Sequence, residues 1–476
     1  MIVSRVVLVL WASSIVMALQ MPFQLNFLLK FSLKNPQIHY LNVDHNQLPI
    51  NLKQYDQDQV IRIEIDNSDM KRFLLNQNRQ IDFKIWNKFS NYIDLQINQP
   101  NLKLLTKKYP KLKYDVIIKD LPQTVFETYP NSTDLFHELN QFLTQGDDIS
   151  TSSDEFSRLS EMMFHEYRPL STINAWLEIL QQSYPDVIKI ETIGQTYEHR
   201  EYKVIHFAAP NDDVAHDERK TMVITGGIHA REWISTSSIL YILYQLLQAY
   251  IDDPNSEQLK NLNFLLIPVA NPDGYEYTWT NDRLWRKNRQ ETIHPQCFGI
   301  DIDHSYDYHW TKSSDWPCGE EYSGEEAGEA IEYQIWESYL NSTNGKHRIS
   351  CYIDLHSYSQ EILYPYAYSC QEEPRDKENL IELAYGMAKT IRLFSGKNYN
   401  VLPACIDRDS DLTPDLGSGS ALDFMYHNRA YWAYQIKLRD TGSHGFLLPA
   451  KYIEPVGKEI YAGIKYFCSF ILSDDR

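Results

Sequence analysis

Apolar and polar residues alternate along Val60-Ile-Arg-Ile-Glu-Ile65, the two-residue period of a strand with one face buried. Ile93-Asp-Leu-Gln-Ile97 repeats the pattern, and Tyr114-Asp-Val-Ile-Ile-Lys-Asp120 predicts a third strand running into a turn. Between them, Asn101–Tyr109 gathers Leu102, Leu104 and Leu105 on one side and predicts a helix. Strands that return after helices in so short a stretch predict a small α+β unit, an open sheet with helices packed on one face.

From about Phe156 to Ile471 the pattern changes to longer alternating segments. Ser171–Tyr184 is amphipathic and helical, and Lys220-Thr-Met-Val-Ile-Thr225 reads as a buried strand stopped by Gly226-Gly227. Ser235–Ile251 predicts a helix, and Phe264–Val269, Ile349–Leu355 and Ala430–Ile436 predict further strands. This alternation predicts an α/β domain with a mixed central sheet flanked by helices. Residues 146–157 are polar, acidic and rich in Ser and Thr, and divide a leading unit, 19–145, from a larger domain, 158–476.

The chain has 476 residues, 43% of them hydrophobic and 23% charged, the balance of a folded protein. Its 45 Lys and Arg against 64 Asp and Glu leave a net charge of −19, which argues against nucleic acid as a partner because phosphates are held by Lys and Arg. No run of about 20 apolar residues follows the N-terminus, so a polytopic membrane protein is excluded. Met1–Ala18 has a basic head at Arg5, a short apolar run and small residues at Val16 and Ala18, which reads as a secretory signal peptide, a signal anchor being the alternative. A secretory route, outside the cell or in a vacuole, gives meaning to the sequons at Asn131 and Asn341 and permits disulfides. All six cysteines lie after residue 290 and none forms a CxxC pair, so they do not suggest a thiolate metal site.

Chemistry in α/β folds collects where strands end. After the strand closing at Thr225 the chain reads Gly226-Gly-Ile-His229-Ala-Arg231-Glu232-Trp233, and His356 follows the strand closing at Leu355. Two His and one Glu with an open fourth position make a catalytic type of zinc site. His-x-x-Glu alone is common and mostly incidental. The surroundings make it specific: Gly227–Ser235, Asn271-Pro-Asp-Gly-Tyr275, Arg283-Leu-Trp-Arg-Lys-Asn288, His356-Ser-Tyr-Ser359, Tyr364-Pro-Tyr366 and Leu438-Arg-Asp-Thr-Gly442 occur in order. Together they closely resemble the secreted zinc carboxypeptidases of the A/B type, and the leading unit resembles the inhibitory open-sandwich prosegment of that family. The resemblance implies one Zn2+ per chain on His229, Glu232 and His356. It also implies a substrate cleft lined by Arg231, Arg286, Ser357 and Tyr358, and a Cys297–Cys318 disulfide. Pairing among Cys351, Cys370, Cys405 and Cys468 stays open, with Cys370–Cys405 favoured because both flank cleft-side loops.

The pattern then breaks. The family's general base, a Glu two residues before Arg-Asp-Thr-Gly, is here Lys437, and an ammonium has no capacity to accept a proton. The family's Asn-Arg clamp for a terminal carboxylate is Asp303-His304, an added repulsion and the loss of a bidentate fork. No Tyr occurs near Pro414-Asp415-Leu416, where the family carries a mobile one, and Leu422 falls in the specificity pocket. These losses, with the ligands spared, imply a pseudoenzyme similar to the inactive fungal members of the family linked to cell-wall organisation. Such a protein would bind a peptide, a protein or a wall component. The competing expectation is an active carboxypeptidase of atypical specificity with a base other than Glu. From Asp120 to Ser157 there is no Lys or Arg, so tryptic processing has one nearby target, Arg158, and the prosegment is expected to stay attached.

Overall fold

The computed structural model describes residues 52–65, 73–74, 81–88, 91–131, 134–144, 153–407 and 417–473. The expected signal peptide, the stretch Pro414–Leu416 and part of the first sequon lie outside the described residues. Residues Ile50–Arg476 form one compact unit containing two sheets.

The smaller sheet has four antiparallel strands in the order β2-β3-β1-β4: β1 (Asp58–Glu64), β2 (Lys84–Lys88), β3 (Tyr92–Asn98) and β4 (Tyr114–Ile118). Ile61, Ile63, Ile93, Leu95 and Ile97 meet Phe83 and Leu105 in its core, as the alternating patterns require. The helix Gln99–Lys108 starts where the Asn98 side chain accepts from Asn101 N and Pro100 occupies the first turn. The strand β2 had no alternating signal to announce it.

The larger sheet has eight strands in the order β11-β10-β12-β9-β7-β8-β6-β5. They are β5 (Ile188–Gln195), β6 (Glu201–Ala208), β7 (Lys220–Gly226), β8 (Leu262–Ile267), β9 (Arg348–Ser357), β10 (Glu361–Tyr364), β11 (Asn400–Pro403) and β12 (Trp432–Leu438). The central strands β8, β7, β9 and β12 are mutually parallel, and antiparallel pairs enclose them, so the sheet is mixed as expected. Helices flank it: Ile453–Leu472 packs on both Trp233–Asp252 and Lys377–Ser395, while Ile331–Ser342 and Ala421–Asn428 rest on β5 and on β9 and β12.

The expected linker is shorter than its composition suggested. A helix, Ser153–Met163, begins inside 146–157, and Arg158 on it holds Glu138 of the preceding helix Asp134–Thr144 at 2.8 Å. Two disulfides are formed, Cys297–Cys318 and Cys370–Cys405, while Cys351 and Cys468 are buried thiols.

Candidate metal centre

Parallel strands put their C-terminal ends on one edge, and three of them build the site. Past β7, Gly227 adopts φ +66°, where a Cβ would meet Thr236 Oγ1 at 2.7 Å and the Pro268 carbonyl at 3.0 Å. Only a glycine turns the chain there without a clash, and the turn delivers His229 and Glu232 to the cleft. Glu232 stands at the start of the helix Trp233–Asp252 but does not cap it with its side chain. Its Oε2 instead accepts from Ser357 N at 2.9 Å. His356 comes from the end of β9, and its register partner on β12 is Lys437, so both side chains rise from the same face.

His229 Nδ1 and His356 Nδ1 face each other at 3.1 Å. Glu232 Oε1 lies 3.0 Å from the first, and Oε2 3.3 Å from the second. All three residues are buried, and their ligand atoms lie within 4.8 Å of one another. Two nitrogen lone pairs and a carboxylate aimed at one point suit a zinc ion, and the outer nitrogen of His356 is oriented by a carboxylate as such ligands usually are. His229 Nε2 is 3.2 Å from Asp301 Oδ1, and His356 Nε2 is 3.0 Å from Asp354 Oδ2. The cluster attracts positive charge. Burial alone would raise the Glu232 carboxyl, but the two imidazoles outweigh it and hold it well below the usual range. Burial lowers His356, yet Asp354 and Glu232 together push it up to about 10.

Around this centre the cleft is lined by Arg231, Arg286, His304, Ser357, Gln435 and Lys437, as well as by residues of the small sheet. Arg286 is held from behind by Asp301, which accepts from Nε at 3.0 Å and from Nη2 at 2.8 Å. Two expected cleft residues stand elsewhere. Asp303 is fully buried beneath the floor and accepts from Ala421 N at 3.2 Å, so its charge does not face the cleft as the motif reading had it. Tyr358 is buried too, its hydroxyl donating to Asp94 of β3 at 2.7 Å. Leu422 is buried in the helix Ala421–Asn428.

Several site residues escaped the sequence reading. Asp354 lies two positions before His356, a spacing that a search for carboxylates behind the histidines would have found, whereas Asp301 is far in sequence from the His229 it faces. Glu320 pairs with Arg231 at 3.1 Å, and Glu321 takes Lys88 of β2 at 2.7 Å. The resemblance to an inhibitory prosegment implies a leading unit over the cleft mouth, but the sequence does not announce β2 as the strand that lines it. Asn87 Nδ2 donates to the Tyr358 carbonyl at 3.2 Å, and the Trp86 ring packs 5.2 Å from that of Phe446. Beneath them a cavity of about 90 Å³ remains.

A mixed sheet whose parallel strands deliver two imidazoles and one carboxylate to a cleft, with a small sheet seated over it, defines a metallopeptidase-type fold. The sequence pattern of the zinc carboxypeptidases matches residues 173–463. The chain is 50% identical over 397 residues to the inactive metallocarboxypeptidase ECM14 of Saccharomyces cerevisiae, covering 83% of this chain and 87% of that one. It is 36% identical over 440 residues to the protein of the same name from Ajellomyces dermatitidis, covering 88% and 73%. Among solved structures it resembles thrombin activatable fibrinolysis inhibitor, with a TM-score of 0.73 and 25% identity over 88% of this chain and 100% of that one. Carboxypeptidase A of Helicoverpa armigera shares the fold, with a TM-score of 0.72 and 22% identity over 88% and 99%. This chain therefore belongs to the zinc carboxypeptidase family.

Proposed function

We propose that the chain is a catalytically inactive zinc carboxypeptidase homologue that acts by binding. His229, Glu232 and His356 would hold one zinc ion per chain, and the ion would supply a Lewis acid at the cleft. The observation that carries the reading is Lys437, on the strand position beside His356. A carboxylate there could take a proton from a nucleophile and return it to a leaving group, and an ammonium cannot. His304 offers a terminal carboxylate no bidentate fork, and the nearby carboxylates of Glu320 and Glu321 oppose one. The name carried by the fungal relatives, inactive metallocarboxypeptidase, supports the same reading.

The ligand would be a peptide, a protein or a wall component met in a secretory compartment, a vacuole or outside the cell. A role in cell-wall organisation follows from the resemblance to the inactive fungal members. The signal-like N-terminus and the exposed Asn341, within its sequon, support that route. No helix among the described residues is long and apolar enough to cross a membrane.

The test measures zinc content and release of C-terminal residues in wild type and in Lys437→Glu/Asp303→Asn/His304→Arg. Both carry a specific protease site inserted within 146–152 and are assayed intact and after the cut. Wild type is expected to hold a zinc ion that His229→Gln removes, and to be inert. The revertant should gain activity, since a general base is worth about two to four orders of magnitude in rate. Chelator-sensitive peptide cleavage by wild type would sink the proposal and make this an enzyme with another base.

A further inference from the structure

A second group of histidines lies at the β5 edge of the large sheet, and none of its residues lines the cleft. Lys189 of β5 and His206 of β6 are register partners, so Glu191, two residues on from Lys189, faces the same side. Glu191 Oε2 lies 3.1 Å from His206 Nε2. Tyr339, on the helix Ile331–Ser342, sets its hydroxyl 3.4 Å from His206 Nε2 and 3.3 Å from His347 Nε2. The His347 ring centroid is 5.6 Å from that of His206 and 5.7 Å from that of His216. These side chains share a groove of about 380 Å³. One atom in it is unexplained: His347 Nδ1 is buried without a hydrogen-bond partner.

Three imidazoles and a carboxylate gathered in one groove, two of the rings meeting at the Tyr339 hydroxyl, form the donor set of a metal site. We propose that His206, His347 and Glu191, with His216 at the mouth, form a second binding site, for a divalent late-transition-metal ion such as Zn2+, Ni2+ or Cu2+. Imidazole and carboxylate are the donors those ions take. Rings that share an ion at a bond length of about 2.0–2.1 Å have centroids roughly 5–6 Å apart, the separations found here. The imidazoles are also in the ligand state at neutral pH. Burial, then the neighbouring His206 and His216, lowers His347 to about 4, and burial lowers His206 and His216 as well.

The donors are not drawn to one point as those of His229, Glu232 and His356 are. Closure turns the His347 ring, on the exposed segment that follows Gly345, toward Glu191, and the Tyr339 hydroxyl yields or joins as a ligand. Lys189, with Nζ 3.7 Å from Glu191 Oε2, is the cation that the metal would displace.

Zinc bound per full-length chain, counted by elemental analysis across a series of buffered free zinc concentrations, tests the site. Wild type is expected to reach two equivalents. His206→Gln/His347→Gln should lose one, His229→Gln the other, and Lys189→Met should tighten the second equivalent severalfold without changing the first. A single equivalent in wild type that His229→Gln removes overturns the proposal, as does a second equivalent that survives His206→Gln/His347→Gln. Should that double variant not fold, anomalous diffraction at the zinc edge from zinc-soaked wild-type crystals decides. A peak within bonding distance of His206 Nε2 and Glu191 supports the site, and peaks confined to His229, Glu232 and His356 overturn it. Failure at the cleft would leave this site untouched, because the two ions are counted with different variants.

Discussion

Asp94 shows how much one buried carboxylate can organise. It is fully buried in β3, yet it accepts from Arg62 Nε at 2.7 Å, from Arg62 Nη2 at 2.8 Å and from the Tyr358 hydroxyl at 2.7 Å. Arg62 Nη2 also donates to the Thr441 carbonyl at 3.1 Å, so the guanidinium joins the small sheet to the loop after β12. Asp94→Ala would strand a buried phenol and most of a guanidinium. Arg62 keeps 25% of its side-chain surface in water, so we expect a loss of about 2–4 kcal/mol, below the full cost of breaking a wholly buried pair. Urea denaturation should show it as a lower midpoint with an unchanged slope. A neighbouring pair responds to pH. Burial would raise the Glu321 carboxyl, but the charge of Lys88, then Arg286 and His304, holds it below its ordinary value. A carboxyl lowered on folding adds stability that is complete above its unfolded pKa of about 4.3 and is lost as pH falls through the folded value. The clamp of β2 on the cleft should therefore loosen in acid, read as faster amide exchange along Lys84–Lys88 below about pH 4, after correction for intrinsic rates. In Glu321→Gln that acid-dependent increase should be absent.

At the scale of elements, the disulfide Cys370–Cys405 fastens the loop after β10 to the short helix after β11, across 35 residues that include the helix Lys377–Ser395. Its main effect is on the unfolded chain, whose loop-closure entropy it removes, by about 3–4 kcal/mol for a loop of this length. Cys370→Ala/Cys405→Ala should lower the unfolding midpoint accordingly while leaving zinc content at the cleft unchanged. An unaltered midpoint would mean that strain in the native bridge offsets the gain. Legibility follows the same division by element. Segments with a clear period, such as Val60–Ile65, or a continuous apolar run stopped by glycines, such as Lys220–Thr225, read correctly because burial dictates their composition. β10 has four residues, all buried, and β2 begins and ends with lysine, so neither carries a period. They exist because neighbours supply their hydrogen bonds, a tertiary cause that no local pattern records. The site divides likewise. His229, Glu232 and His356 were expected together because the ordered motifs around them resemble the family's, the strand ends and the i,i+3 spacing alone being too common to decide it, and their ligand atoms do meet. Asp303 was misplaced because a motif fixes which residue sits in a loop and not which way the loop turns it. Here Ala421 N and the amide of Gln435, 3.4 Å away, draw it under the floor.

Across the whole molecule, the question is whether the small sheet is a detachable cover or part of the fold. Its attachment does not depend on the cleft alone. Tyr55 donates to Asp282 at 2.6 Å, and Tyr129 donates to the Thr278 carbonyl at 2.8 Å while its ring meets the edges of Trp233 and Trp279. Arg283 lies wholly buried over Trp233, donating to Thr128 Oγ1 at 3.2 Å on one side and to the carbonyls of Arg231 and Phe446 on the other. Peeling the leading unit away would leave that guanidinium without Thr128 and expose Trp233 and Trp279, the group of contacts that makes separate unfolding costly. Chains of this length often unfold in stages, so a single transition is a demanding expectation. We predict it nonetheless for residues 50–476: far-ultraviolet dichroism, tryptophan fluorescence and amide exchange in β1 and β3 should share one midpoint in urea. Proteolysis probes the same coupling. Arg158 sits in a helix, with Nη2 2.8 Å from Glu138, and a protease needs a locally extended chain. Trypsin under native conditions should therefore leave the leading unit joined to the large domain, at a protease dose that cuts the urea-unfolded chain to completion. If β1 and β3 instead exchange in an earlier transition, or trypsin frees the large domain intact by cutting after Arg158, the small sheet is a removable cover and the cleft can open in the native protein.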